Sequence, residues 1–224
     1  MSKKIKSVCI DTLTAIQTDE YMTDRSKPGH DKWKDYGITI YSFMKNLHDL
    51  GFELVLILGS PGTGKSSGMR TLESKTNIWY NADNKNPVWI GGRQEYGTKH
   101  SPITPYHIIP KTYNDIINHI MGGIKSDMFV DNRVAFITGH IEAFREGDKY
   151  KVRLKTLGNL ATKMQLEGKL ETVLYSEVEV EGSTIDYLLH TQNSGYNTAR
   201  SPQGMLEPKI ENDFNLILEK LKDY

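Results

Sequence analysis

Apolar positions along the chain fall into short runs separated by stretches of helical period. Ser7-Val8-Cys9-Ile10-Asp11 reads as a buried strand ending in a carboxylate, followed by a polar loop with Pro28 and Gly29 in its middle. Ile38, Tyr41, Met44, Leu47 and Leu50 recur at helical spacing, and Gly51 sits where a C-cap glycine belongs. Leu54-Val55-Leu56-Ile57-Leu58 predicts a strand buried on both faces. The run Ser66 to Ser74 predicts a helix, and Asn77-Ile78-Trp79-Tyr80 a further strand. A loop rich in Gly, Pro and His extends to Pro110. Thr112 then N-caps a helix carrying Ile116, Ile117, Ile120 and Met121, closed by Gly122-Gly123. Val134-Ala135-Phe136-Ile137 is another buried strand, ending at Thr138-Gly139-His140.

The remainder has a different texture. Residues 144–156 are polar and basic, and Leu160 to Leu166 predicts a short helix. Residues 170–180 alternate, and a Gly182-Ser183 turn leads into Thr184 through Thr191, which predicts a β-hairpin. Asn193 to Gly204 is a loop. Asn212 caps a final amphipathic helix with Phe214, Ile217, Leu218 and Leu221. Strands alternating with helices through residue 140 imply a parallel sheet covered on both faces, extended at one edge by the hairpin. The expected architecture is a single α/β domain over residues 1–224.

One segment carries specific chemistry. Gly59-Ser60-Pro61-Gly62-Thr63-Gly64-Lys65-Ser66, with Ser67 behind it, matches the phosphate-binding P-loop pattern at every fixed position. Glycines let successive N–H groups point inward around phosphate oxygens, and the following helix adds its positive end. Lys65 is expected to reach the β- and γ-phosphates of ATP, and the Ser66 hydroxyl to ligate Mg²⁺.

Composition narrows the partners. The 224 residues hold 28 basic and 28 acidic side chains, so any DNA contact must come from a local patch or from several subunits together. A single cysteine, Cys9, excludes an internal disulfide and a Cys₄ zinc cluster. No stretch approaches the roughly 20 apolar residues that span a bilayer. Basic residues at the N-terminus are not followed by an apolar segment, so a cytoplasmic setting is expected.

Hydrolysis of ATP needs carboxylates and a γ-phosphate sensor besides the cradle. Asp11, at a strand end, fits the Mg²⁺-holding role, with Thr12 beside it. Asp83, just past the strand Ile78–Tyr80, fits the activation of water. His140, at the tip of its strand, fits the sensor. Asp131, after Met128-Phe129-Val130, is the second candidate for the metal-holding carboxylate.

These residues resemble the RecA-like P-loop ATPases, and among them the phage-encoded single-strand annealing ATPases of the Sak type. The P-loop carries the resemblance first. Trp79-Tyr80-Asn81-Ala82-Asp83-Asn84 looks like the strand end bearing the catalytic carboxylate. Val8-Cys9-Ile10-Asp11-Thr12-Leu13-Thr14 is similar to the family's Walker B strand. Asn197-Thr198-Ala199-Arg200-Ser201-Pro202-Gln203-Gly204-Met205 with Ile210-Glu211-Asn212-Asp213 resembles the C-terminal segment of the phage group. The resemblance implies a three-layer α/β/α fold, an oligomer and action on single-stranded DNA. One departure is large: Asp11 precedes Lys65, whereas the family's P-loop comes before Walker B. Exchanging residues 1–59 with 128–139 around the block 60–127 restores the usual order. Leu58-Gly59 and Thr138-Gly139 are then alternative leads into the P-loop. A preserved site requires Asp11 close to Ser66.

The resemblance points to residues 144–156 and 193–204 as DNA-binding loops. Arg145, Lys149, Lys151 and Arg153 are the candidate phosphate contacts, with Phe144 and Tyr150 available for stacking on bases. Arg200 is the candidate trans-acting cation toward a neighbouring subunit's γ-phosphate. Two other readings stay open: a small-molecule kinase using residues 144–156 as a lid, and a nucleotide-binding scaffold without turnover.

Overall fold

The computed structural model describes residues 3–23, 30–156 and 166–224. From the N-terminus the elements are β1 (Ile5–Asp11), α1 (Leu13–Thr23), α2 (His30–Asp49), β2 (Phe52–Gly59), β3 (Asn77–Asn81) and α3 (Gly92–Tyr96). They continue with β4 (Gly97–Thr98), β5 (Ser101–Pro102), β6 (His107–Ile108), α4 (Tyr113–Lys125) and β7 (Phe129–Glu146). The last are β8 (Lys149–Leu154), β9 (Thr172–Glu181), β10 (Thr184–His190), β11 (Lys209–Glu211) and α5 (Phe214–Asp223).

The main sheet runs β11-β10-β9-β2-β7-β1-β3-β6, with β8 attached to β7. Every pairing from β9 across to β6 is parallel, and the β9–β10, β10–β11 and β7–β8 pairings are antiparallel. The chain is therefore an α/β protein with a large, mostly parallel sheet. Alternation of side chains along the strands divides the core in two. Val8, Ile10, Leu54, Leu56, Ile78 and Ile137 pack under α1, α2 and α4. Cys9, Val55, Ile57, Trp79 and Phe136 face Met69, Tyr96 and α5. Phe214 of α5 stacks on Phe136 with ring centroids 4.7 Å apart. Among the described residues no helix is long and apolar enough to cross a membrane.

Several local expectations are met. Gly51 closes α2 with φ +79°, its N–H donating to His48 O at 2.8 Å. Thr112 and Asp115 form a reciprocal capping box at α4. The β9–β10 hairpin turns at Gly182, with φ +61°.

Others are corrected. The stretch after Asp11 is helical, α1, where a polar loop was expected; Pro28 and Gly29 lie outside the described residues. The segment after the P-loop forms a 3₁₀ helix, Lys65–Thr71, and a single turn, Ser74–Thr76, in place of an α-helix. Its hydroxyls explain this. Ser67 Oγ donates to Gly64 O at 2.7 Å and Thr71 Oγ1 to Gly68 O at 2.9 Å, so side chains take carbonyls three residues back. Helix α4 runs through Gly122-Gly123 to Lys125 because Gly123 lets the Phe129 ring approach closely. The glycine-rich loop before Pro110 contains α3 and an added strand, β6. Strand β7 continues well past His140 and returns as β8, so residues 144–154 form a hairpin. The helix expected over Leu160–Leu166 falls outside the described residues, except Leu166, which opens a 3₁₀ turn to Lys169. Asp213, not Asn212, caps α5, accepting from Leu216 N–H at 3.0 Å.

A buried imidazole fixes the end of β3. His107 stacks on Trp79, and its Nδ1 lies 2.7 Å from Tyr96 O. A carbonyl can only accept, so Nδ1 donates and Nε2 accepts from Asn81 Nδ2 at 3.0 Å. Burial lowers the His107 pKa, an effect partly offset by the hydrogen bond to Tyr96. The unfolded chain therefore binds more protons than the folded one below the ordinary value of 6.5, and stability falls as pH drops through that point. Chemical denaturation of wild type and His107→Asn should show a stability difference that shrinks as pH falls from about 7.5 to about 5. A pH-independent difference would contradict this.

Candidate functional site

Because β2, β7, β1 and β3 run parallel, their C-terminal ends share one edge of the sheet, where α/β proteins bind ligands. The register aligns Gly59 with His140 and Leu58 with Gly139, and Asp11 with Asn81. The P-loop follows β2, Asp11 ends β1, Asp83 lies two residues past β3, and His140 stands on β7. The lead-in strands β2 and β7 are direct neighbours whose glycines are offset by one residue. Asp131 sits at the opposite end of β7, where Phe129 pairs with Ile5, so the alternative metal-holding carboxylate is excluded from this edge.

Pro61, Gly62, Gly64, Lys65, Ser66 and Ser67 line a cavity of about 400 Å³ with Thr12, Asp83, Lys85, Val88, His140 and Tyr187. Gly62 and Gly64 take φ of +84° and +82°, values that bend the loop as only glycine does readily. Among the described residues no acceptor pairs with the N–H groups of Gly62 or Gly64. Thr63 N–H turns back to Ser60 O, and Thr63 O accepts from Ser176 of β9. The Tyr187 ring of β10 lies against Gly64, where a Cβ would stand 2.4 Å from its Cδ1. Asn212 donates from Nδ2 to Gly64 O at 2.6 Å. The C-terminal segment thus clamps the loop.

Lys65 folds back onto the loop, donating from Nζ to Gly59 O at 2.9 Å and Ser60 O at 2.7 Å. Burial, opposed by Asp11 and aided by Lys85, lowers its pKa to about 8. Asp11 is fully buried. Its Oδ1 accepts from Thr138 Oγ1 at 2.7 Å, and its backbone carbonyl accepts from Ala82 and Asp83 N–H. Asp83 Oδ1 accepts from Thr12 Oγ1 at 3.1 Å. Burial and the nearby Lys65 lower the His140 pKa, and its Nδ1 is buried with no hydrogen-bond partner among the described residues. A second cavity of about 490 Å³ opens beside His140 and Asp83 toward Thr14 and Thr18 of α1.

Lys85 stands at the centre and was not anticipated from the sequence. Its Nζ lies 3.0 Å from Asp11 Oδ2, from Asp83 Oδ2 and from Ser66 Oγ. Burial opposes its charge, but Asp11 and Asp83 together outweigh that and raise its pKa. Asp11 and Ser66 are thus bridged by one ammonium, which satisfies the proximity that a preserved site requires. The spacing Asp83-Asn84-Lys85 was the available signal. Among the described residues no cluster of three His, Cys, Asp or Glu side chains forms, so a metal here would draw on two carboxylates and the Ser66 hydroxyl. Those hard oxygens suit Mg²⁺, and the inward-curved loop suits a phosphate.

The other candidates lie elsewhere. Arg145 faces Asp148 at 3.6 Å, Lys151 pairs with Glu146, and Arg153 pairs with Glu142 at 2.8 Å. Arg153 also covers the Phe144 ring at 4.6 Å. Lys149 and the exposed Tyr150 stand on β8 beyond them. Arg200 donates from Nε to Leu170 O at 2.9 Å, and its backbone bridges Val173 near the start of β9.

No model of a known protein family matches the chain, and no curated protein matches it. Fold and site define an α/β protein with a polar cavity, lined by Lys65, Lys85 and Asp83, at the carboxyl edge of a mostly parallel sheet.

Thr138 is the only side-chain donor to Asp11 Oδ1 among the described residues. Thr138→Val should cost about 1.5–3 kcal/mol in urea denaturation, the scale of a lost hydrogen bond to a buried charge. A loss under about 0.5 kcal/mol would mean that the carboxylate finds another donor.

Proposed function

We propose that this protein binds ATP with Mg²⁺ and hydrolyses it, as a RecA-like P-loop protein acting on single-stranded DNA. One observation carries the reading: Gly62, Gly64, Ser66, Asp83 and His140 line a single cavity, and buried Asp11 contacts Lys85 in its wall, although these residues come from separate segments. Chance motif matches would not be expected to meet. The free N–H groups of Gly62 and Gly64 and the Lys65 ammonium are suited to phosphate oxygens. Ser66 and Asp11 would hold Mg²⁺, which supplies neutralisation of phosphate charge. Asp83, steadied by Thr12, would orient the attacking water. His140, kept neutral by burial, can exchange a hydrogen bond with the γ-phosphate.

The DNA component and an oligomeric state rest on the resemblance. Lys149 and Tyr150 on the β7–β8 hairpin are the groups best free to serve a strand of nucleic acid, since the neighbouring cations already face acids.

A second reading, nucleotide binding without turnover, is favoured by the Lys85 ammonium standing between the metal-holding oxygens.

Hydrolysis of ATP measured with and without single-stranded DNA separates the two. Lys65→Ala should abolish turnover, and Asp83→Asn should keep ATP binding while lowering turnover by about 10²–10⁴-fold. Binding with no turnover in wild type under either condition would favour the non-catalytic reading, and no binding at all would overturn both.

A further inference from the structure

Lys85 is unused by the roles proposed above, yet it occupies the middle of the site. Ser66 Oγ, Asp11 Oδ2 and Asp83 Oδ2 each lie 3.0 Å from its Nζ. A hydroxyl and two carboxylates are the oxygen donors that a small divalent cation takes, and here one ammonium meets all three. Asp11 Oδ2 is buried and lies 3.0 Å from the Lys85 ammonium. The Lys85 side chain is 30% exposed and lines the cavity, so its flexible stem can swing outward.

We propose that Lys85 is the resident cation of the nucleotide-free site, and that a divalent cation binds there only by displacing it. The proposal rests on the nucleotide-binding reading for the second ligand, but its core concerns the cation alone. An ammonium and a divalent ion cannot share these oxygens, since like charges at such separation repel strongly. Without either, Asp11 and Asp83 would face each other uncompensated. Lys85 thus holds the metal-binding oxygens together in advance and sets a threshold against metal without nucleotide. Phosphate oxygens lower that threshold, because they add negative charge and offer the displaced ammonium a new partner.

Mn²⁺ serves as the probe, its free aquo-ion signal followed by electron paramagnetic resonance during titration of the full chain. In the absence of nucleotide, Lys85→Met should bind Mn²⁺ roughly tenfold or more tighter than wild type, and Lys85→Arg should bind like wild type. Adding Asp11→Asn to Lys85→Met should remove the gain. A non-hydrolysable ATP analogue should tighten Mn²⁺ binding more in wild type than in Lys85→Met. Equal or weaker Mn²⁺ binding by Lys85→Met overturns the proposal, as does tight binding by Lys85→Arg. If Lys85→Met does not fold alone, circular dichroism should show that Mn²⁺ restores the fold; no restoration also overturns it. Binding of the analogue, measured separately by calorimetry, keeps the two ideas apart. A Mn²⁺ gain without analogue binding refutes only the nucleotide reading, and analogue binding without a Mn²⁺ gain refutes only the displacement.

Discussion

Asp11 brings a carboxylate with no solvent exposure to the end of β1, an interior strand of the sheet, and a charge buried so deeply is costly unless compensated. Much of the site can be understood as that compensation. Thr138 on the next strand donates to one oxygen, and Lys85 from the loop after β3 stands beside the other. The same ammonium reaches Asp83 and Ser66, so satisfying one buried charge draws three loops to one point. Lys65, Lys85 and Asp83 line the cavity and buried Asp11 lies against Lys85, so two lysines and two aspartates balance in charge at the edge of an apolar sheet.

The P-loop is held from its far side by the C-terminal third of the chain. Tyr187 packs on Gly64, Asn212 donates to its carbonyl, and Gly68 accepts the close approach of Phe214, where a Cβ would lie 2.3 Å from the ring. Phe214 in turn stacks on Phe136 in the central sheet. The loop's shape is therefore coupled to the hairpin β9–β10 and to α5, and a change at the cavity has a packed route to both. That arrangement gives the Asn212–Asp213 pair a divided role: Asp213 starts the helix, and Asn212 anchors the loop.

The chain order sets Asp11 ahead of Lys65, yet Asp11 and the P-loop segment meet at one edge of the sheet. Parallel strands explain why. Each strand delivers its C-terminal loop to the same edge irrespective of when it occurs in the sequence, and only its place in the sheet decides which loops meet. With β2 and β7 adjacent and Gly59 in register with His140, the two strand ends are near neighbours that face one cavity.

Local signals were enough to identify the buried strands β1, β2, β3 and the middle of β7, the N-cap at Thr112 and the β9–β10 hairpin, because each depends on residues close in sequence. The P-loop pattern and the positions of Asp11 at the end of β1 and Asp83 just past β3 were legible for the same reason, whereas His140, expected at a strand tip, lies within β7. What local signals missed had tertiary causes. Gly123 was read as a stop, but contact with Phe129 carries α4 onward. The hydroxyls of Ser67 and Thr71 turned an expected α-helix into a 3₁₀ turn packed against α5. The basic run at 144–156 looked like a cationic loop, whereas strand pairing sets Arg153 against Glu142 and Lys151 against Glu146. Lys85 was missed as a site residue, since only its position two residues after Asp83 distinguishes it from a surface lysine. Side-chain period and glycine placement made legible which segments become strands and which one carries the P-loop pattern. Only the tertiary structure decided which charges meet, because electrostatic pairing depends on distance in space, and strand order in the sheet sets that distance.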